Sequence, residues 1–277
     1  MSAQLRVATY NIHHGADGRD RLDLARIAET LAGLRADVIG LQEVDVAFGA
    51  RSAFEDQAAG LAEMLGLRGC FGAAIDHAAD DGPARGEQHR RQYGLALLTP
   101  HEITAHRMRQ LPGHPALGPL REPRGLLSAT VHPAGQEPLQ VHVTHLDHEH
   151  RGHRTAQVLR ILEHTSALDG PALLLGDLNA DPSAAELGPL SAGGWREAAV
   201  DLRGAMPRSP VTAKFAAALP FGRSPGRATF PSRLPLLRID SIWSRGALEA
   251  TGLEVGASHA SDHRPLLATF QRLRAGS

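Results

Sequence analysis

The sequence predicts an α/β fold, on three observations. Strand-like and helix-like segments alternate from end to end, the pattern of a layered architecture. The 277 residues are 42 % hydrophobic and 21 % charged, ordinary usage for a globular chain, which excludes disordered, collagen-like and low-complexity classes. Neither an internal repeat nor a linker interrupts them, and single α/β domains often reach ~250 residues, so residues 1–277 read as one domain. A chain of this size buries a large core without disulfides or metals.

The elements follow in order. Leu5 to Ile12 is a short apolar run that reads as the first strand. Leu24, Ile27, Ala28, Leu31 and Leu34 then recur at the spacing of an amphipathic helix. Asp37 to Leu41 has a buried-strand pattern ending in Gln42 and Glu43, and Ala53 to Leu65 reads as a second helix. Tyr93 to Thr99 and Leu126 to Val131 are strands by the same criterion. Leu139, Val141 and Val143 alternate with Gln140, His142 and Thr144, the period of a half-buried strand. Arg154 to Leu168 is helical, with Val158, Ile161, Leu162 and Thr165 on one side, and Ala172 to Leu175 is a short buried strand. Ser183 with Glu186 has the spacing of a capping box. Leu236 to Ser244 and Pro265 to Phe270 are the last strands. Ala78 to Gln92 and Pro207 to Pro235 read as long loops, which in compact domains are often functional.

Charge and cysteine content narrow the function. Lys and Arg number 29 against 30 Asp and Glu, a net charge of −1, so any site for a polyanion must be a local patch. Cys70 is the one cysteine and forms no intramolecular disulfide or cysteine-based metal motif. Met1 to Tyr10 lacks the apolar core of a signal peptide, and no apolar run approaches the ~20 residues of a membrane span. The expectation is a cytoplasmic monomer without stable membrane insertion.

Polar residues mark the strand ends. Asn11 closes the first strand, Glu43 the next and His145 the Leu139 strand; Asp177 and Asn179 follow Leu175; Asp240 sits in Arg238-Ile239-Asp240; Asp262 and His263 precede the last strand. Taken singly, Asn and Asp in such places are usually turn formers. Six apolar strands each delivering an acid, amide or imidazole converge in space if they share one sheet or two facing ones. Carboxylate and amide oxygens suit Mg²⁺ or Mn²⁺, and a hard cation with imidazoles and carboxylates suits hydrolysis of a phosphate ester.

Thr9-Tyr10-Asn11-Ile12, Leu41-Gln42-Glu43-Val44, Thr144-His145-Leu146, Gly176-Asp177-Leu178-Asn179, Arg238-Ile239-Asp240 and Ser261-Asp262-His263-Arg264-Pro265 together resemble the endonuclease/exonuclease/phosphatase family, in the family's order and across almost the whole chain. The resemblance implies a four-layer sandwich of two mixed β-sheets flanked by helices, with the active site at one edge of both sheets. It also implies roles. Glu43 is the main metal ligand, with Asn11 and Asp262 beside the metal; Asp177 orients or deprotonates the attacking water; Asn179 holds that water or a phosphate oxygen. His263 stabilises the transition state, Asp240 fixes its tautomer and keeps it protonated, and His145 is a second phosphate-contacting histidine. Asn11, His145 and Asn179 therefore also count as substrate-binding.

Other features have blander readings. His142, His145, His148, His150 and His153 are dense, but their spacing does not match a zinc box, and the later ones read as solvated or substrate-facing. Of His13 and His14, one faces the cleft. Arg124 reads as a surface ion pair with Glu122 rather than a phosphate ligand, Asp181 as a turn residue, and Trp195 and Trp243 as core. The expected function is Mg²⁺-dependent hydrolysis of a phosphodiester, nuclease-type first, with phospholipid or small-molecule phosphoesters as the alternative. Arg85, Arg90 and Arg91 in one loop and Arg208, Arg223, Arg227 and Arg233 in the other are the candidate contacts to nucleic acid. Against that stands an aromatic content of only 4 %, which leaves few rings for base stacking. A binding module that has kept the fold is the alternative of another class, disfavoured because Glu43, Asp177 and His263 are all present.

Overall fold

Two βαβ units organise the chain. β1 (Gln4–Asn11) and β2 (Val38–Val46) lie parallel, Val7 opposite Val38, joined by α1 (Leu24–Leu34). β7 (Leu139–His145) and β8 (Ala172–Asp177) lie parallel, Val141 opposite Leu173, joined by α3 (Arg151–Thr165). The computed structural model describes residues 4–78, 90–167, 169–202 and 227–273. Between the two units come α2 (Gln57–Leu65), β3 (Arg68–Ala78), β4 (Arg90–Thr99), β5 (Glu102–Leu111) and β6 (Arg124–His132). After them come α4 (Gly188–Ala192), β9 (Arg196–Glu197), α5 (Ala198–Leu202), β10 (Asp240–Arg245), β11 (Leu248–Val255) and β12 (Leu266–Arg272).

The strands make two mixed six-stranded sheets, ordered β11-β12-β1-β2-β4-β3 and β5-β6-β7-β8-β10-β9. The inner faces of both close one core, in which Val7, Val38 and Leu97 meet Val143, Leu173 and Ile242. On the outer face of the first sheet α1 and α2 bury Ile27, Leu31 and Leu61 against Tyr10, Ile39 and Leu41. On the outer face of the second, α3 buries Val158 and Ile161 with Leu126, Leu174, Trp195 and Trp243. The expected four layers, helix, sheet, sheet and helix, are therefore present. The central strands are buried on both faces, and most are accordingly apolar runs; β7 keeps its alternation, but His142 and Thr144 are buried as well, which corrects its reading as half-buried.

Several expectations need correction. β2 runs on to Val46, past Glu43, because a register shift between Leu41 and Val44 lets the strand continue beyond an irregularity. α2 starts at Gln57, where the Asp56 side chain accepts the Ala59 N–H, and not at Ala53, which has left-handed backbone. The Ser183–Glu186 capping box does not form: Ser183 hydrogen-bonds Asp181, and Glu186 is held by Arg154 at 2.8 Å and Arg151 at 3.1 Å. The strand expected from Leu236 begins at Asp240. α3 begins at Arg151 and ends at Thr165; Leu168 lies outside the described residues. The structure adds β3, β5, β9 and β11, for which the sequence predicts no strand. Of the two expected loops, residues 79–89 and 203–226 lie outside the described residues, and with them Arg85, Arg208 and Arg223.

Candidate active site

The second sheet supplies a row. His145 at the end of β7 is opposite Asp177 at the end of β8, and Asp177 is opposite Asp240 at the start of β10. Close approach of β7 and β8 depends on Gly176, where a Cβ would lie 2.1 Å from the Thr144 carbonyl oxygen. The first sheet supplies Asn11 at the end of β1, Glu43 from the irregular stretch of β2, and Asp262 and His263 from the loop entering β12. Glu43 has φ +57°, a left-handed conformation costly for a non-glycine residue, imposed where the strand register shifts.

Side chains from the two sheets meet across the seam. Asn11 Nδ2 donates to Glu43 Oε1 at 2.8 Å and to Asp177 Oδ2 at 3.1 Å, while Asn11 Oδ1 accepts the His13 N–H at 3.0 Å. That backbone donor needs an acceptor, so the amide orientation is fixed. His263 Nδ1 donates to Asp240 Oδ2 at 2.9 Å, and its Nε2 lies 3.6 Å from Asp177 Oδ2. His145 Nε2 lies 3.5 Å from the same Asp177 oxygen. Asp177 Oδ1 accepts the Asn179 N–H at 2.9 Å, and Asn179 Nδ2 donates to the Leu146 carbonyl. Ser261 Oγ ties the loop down, donating to the Asn11 carbonyl at 2.8 Å and accepting the His263 N–H. Phe230 packs its ring 4.8 Å from that of His263.

Electrostatics gives the two imidazoles opposite states. Burial opposes charge on His263, but Asp240 and then Asp177 outweigh it and push its pKa up to about 10, so it is an imidazolium. Burial first, and then the Arg124 guanidinium, hold His145 well below the usual histidine range, so it is neutral. Arg124 Nη1 lies 2.9 Å from His145 Nδ1, and a guanidinium only donates. His145 therefore carries its proton on Nε2, facing Asp177. Burial pushes Asp177 up to about 7 against the pull of His263. Burial also raises Glu43, only partly offset by the hydrogen bond from Asn11.

Glu43 and Asp262 offer hard oxygens, and burial leaves Glu43 short of positive charge, which is the environment a divalent cation relieves. The residues therefore fit Mg²⁺ or Mn²⁺. Asn11, expected beside the metal, turns its oxygen to the His13 N–H and its nitrogen to the carboxylates, so it holds Glu43 and Asp177 in place. Asp262 is partly exposed, with Oδ1 4.0 Å from His13 Nδ1. His13 is thus the histidine at the cleft, while burial and then His13 push His14 down to about 4. Metal-ligand atoms also cluster at Asp177, Asp240 and His263 and at His13, His14 and Asp20.

The dense histidines disperse. His142 and His153 are buried, the latter accepting the His114 N–H, which corrects its reading as solvated; His148 and His150 are exposed. No zinc set forms among them within the described residues. Arg124 pairs with Glu122 at 2.6 Å as expected, but buried rather than on the surface, and it also reaches His148. Its role in fixing His145 was invisible in the sequence, because the contact spans the β6–β7 pairing. Asp181 is a turn residue and both tryptophans are core, as expected.

The model of the Endonuclease/Exonuclease/phosphatase family matches residues 8–263. No curated protein matches. Among solved structures, an endonuclease/exonuclease/phosphatase from Beutenbergia cavernae is similar with TM-score 0.73 and 23 % identity, covering 97 % of this chain and 72 % of that one. The human Nocturnin catalytic domain with bound sulfate anion superimposes with TM-score 0.68 and 20 % identity, covering 99 % and 97 %. A mannosyl-6-phosphatase from Bacteroides thetaiotaomicron gives 0.66 and 17 %, covering 96 % and 99 %. At these identities the likeness to solved structures is one of fold.

Proposed function

The chain belongs to the endonuclease/exonuclease/phosphatase family, whose members are generally divalent-metal-dependent hydrolases of phosphoester bonds, and on that premise we propose that it hydrolyses a phosphodiester, nuclease-type, with Mg²⁺ or Mn²⁺. The observation that carries the reading is the convergence of one imidazolium, His263, and one neutral Nε2–H imidazole, His145, on the same Asp177 oxygen, at 3.6 and 3.5 Å. Two donors around an acceptor match a phosphoryl group under attack by water.

Asp177 holds the attacking water and takes its proton as the oxygen–phosphorus bond forms in line with the departing ester oxygen. His263 donates from Nε2 to a phosphoryl oxygen whose charge grows in the transition state, and Asp240, bonded to its Nδ1, keeps it oriented and charged. His145 donates from Nε2 to the same group, its tautomer held by Arg124. Asn179 braces the loop after β8, and Asn11 keeps Glu43 and Asp177 apart and oriented. Glu43 and Asp262 would hold the divalent ion, which supplies charge neutralisation at the phosphoryl oxygens. The ester bond breaks, and the leaving oxygen is protonated from solvent. We further propose a monomer that acts in the cytoplasm.

The test is a paired assay of bis- and mono-(p-nitrophenyl) phosphate, plasmid DNA and sphingomyelin, with Mg²⁺, Mn²⁺ or Zn²⁺, with chelator, and with His263→Ala. Metal-dependent cleavage of the diester, lost in the variant, supports the proposal. Cleavage of the monoester alone points to a phosphatase, and preference for sphingomyelin to a lipid substrate. No turnover of any ester with any metal overturns an enzymatic reading.

A further inference from the structure

The expected contacts to a polyanion are in the long loops, but Arg90 and Arg91 belong to β4 and are engaged, and Arg233 is exposed with no side-chain partner among the described residues. Arg90 pairs with Asp76, and Arg91 donates to the Phe48 carbonyl at 2.6 Å. Two unpaired cations sit together elsewhere. Arg107 and Arg109 on β5 project from the same face, the outer one, and neither side chain has a hydrogen bond or ion pair among the described residues. Across from them on α3 are Arg160 and His164. Two adjoining clefts of about 210 and 460 Å³ share Arg107, Arg109 and His164 and follow β5 from Ala105 to Pro112. Their described linings contain no Asp or Glu; Glu163, paired with Arg160 at 2.9 Å, stands outside them.

The cleft floor adds an independent observation. His142 lines it, is 2 % exposed, and bonds Ser128 Oγ through Nδ1, yet its Nε2 is buried without a partner. A buried polar atom left unpaired is costly, and a water or ligand group admitted beside it relieves that cost. Exposed arginines on an edge strand also discourage strand pairing between molecules. That role needs neither a cleft nor an unpaired imidazole nitrogen beneath it. The positive field is felt locally: besides burial, Arg109, Arg160 and Arg107 all lower the proton affinity of His164.

We propose that the cleft between β5 and α3 binds successive phosphates of a single-stranded nucleic acid whose scissile phosphate lies at Asp177 and His263. The cleft leads toward the site: Leu111, which lines it at the end of β5, is opposite Arg124, the residue that holds His145. Four residues of strand separate Arg107 from Leu111, about 13 Å. Arg107 and Arg109, two residues apart on one face, match the repeat of phosphates along an extended strand. This deepens the phosphodiesterase reading and rests on it for the scissile end alone.

The test compares the wild type with an Arg107→Ser/Arg109→Ser double variant, both surface changes remote from the reacting groups. Substrates are bis-(p-nitrophenyl) phosphate and 5′-labelled oligothymidylates of two and twelve nucleotides. Direct binding of the twelve-mer is measured by fluorescence anisotropy on Asp177→Ala backgrounds from 50 to 300 mM salt. The wild type should bind the twelve-mer at least ~10-fold more tightly than the variant. The slope of log Kd against log salt should fall in the variant by about 1.4, two phosphates at ~0.7 each. Turnover of the small diester should be equal in both. Equal binding and salt slopes overturn the cleft proposal even where the small diester is cleaved. Failure to cleave the small diester, with binding lost in the variant, instead removes the phosphodiesterase reading and leaves the cleft. Tighter binding of labelled polyglutamate than of the oligonucleotide overturns the nucleic-acid assignment.

Discussion

Replacing His142 with phenylalanine should make the protein more resistant to acid. His142 is buried beneath α3, edge-on to the Trp195 ring at 6.1 Å, and burial, then Arg245 and Arg109, push its pKa down to about 3. In the unfolded chain it titrates near 6.5. Between these values the unfolded state binds more protons than the folded one, so stability is complete above about pH 6.5 and falls as pH drops toward 3. For one such group the loss from pH 7 to pH 5 is about 2 kcal/mol. Phenylalanine keeps a ring against Trp195, abandons Ser128 and removes the unpaired Nε2, terms of opposite sign, each about 1 kcal/mol, that are the same at both pH values. Urea unfolding of both proteins at pH 7 and pH 5 isolates the effect, because His145 and the carboxylates titrate alike in both. The variant's drop between the two pH values should be smaller than the wild type's by about 2 kcal/mol. Equal drops would refute the assignment of a buried neutral imidazole at this position.

Asp177→Ala and His263→Ala should each lower kcat for a diester by ~100-fold or more, since each removes an interaction made in the transition state; a near-normal rate would take that residue out of the mechanism. Glu43→Gln should raise the Mg²⁺ concentration for half-maximal activity by ~10-fold or more, and an unchanged titration curve would argue against ligation by Glu43. Gly176→Ala places a methyl carbon 2.1 Å from the Thr144 carbonyl oxygen. It should cost about 3 kcal/mol in urea unfolding and separate His145 from Asp177; full stability with full activity would show that β7 and β8 have room to part.

The strands that went unread share one property. β3, β5 and β11 are all edge strands, as is the two-residue β9. An edge strand is wetted along one side, and β5, Glu102–Leu111, is exposed or half-exposed over all but its last residue, so it shows no run of apolar residues. The interior strands β1, β2, β4, β7 and β8 are covered on both faces and could be read directly. The capping box failed for a related reason: Ser183 and Glu186 have the right spacing, but distant arginines on α3 claim the glutamate.

The amino-acid sequence by itself determined the alternation of elements, the apolar strands of both sheets and the chemical identity of each group at a strand end. Those properties depend on residue type and short-range period, which are local. Tertiary structure alone decided that Asn11 reaches Asp177, 166 residues away, and that His263 from the first sheet meets Asp240 of the second. It also decided that Arg124 selects the tautomer of His145, and that the unpaired Arg107 and Arg109 face α3 across one cleft. Each depends on which strands become neighbours, and strand order is set by packing the whole chain around one core between the sheets.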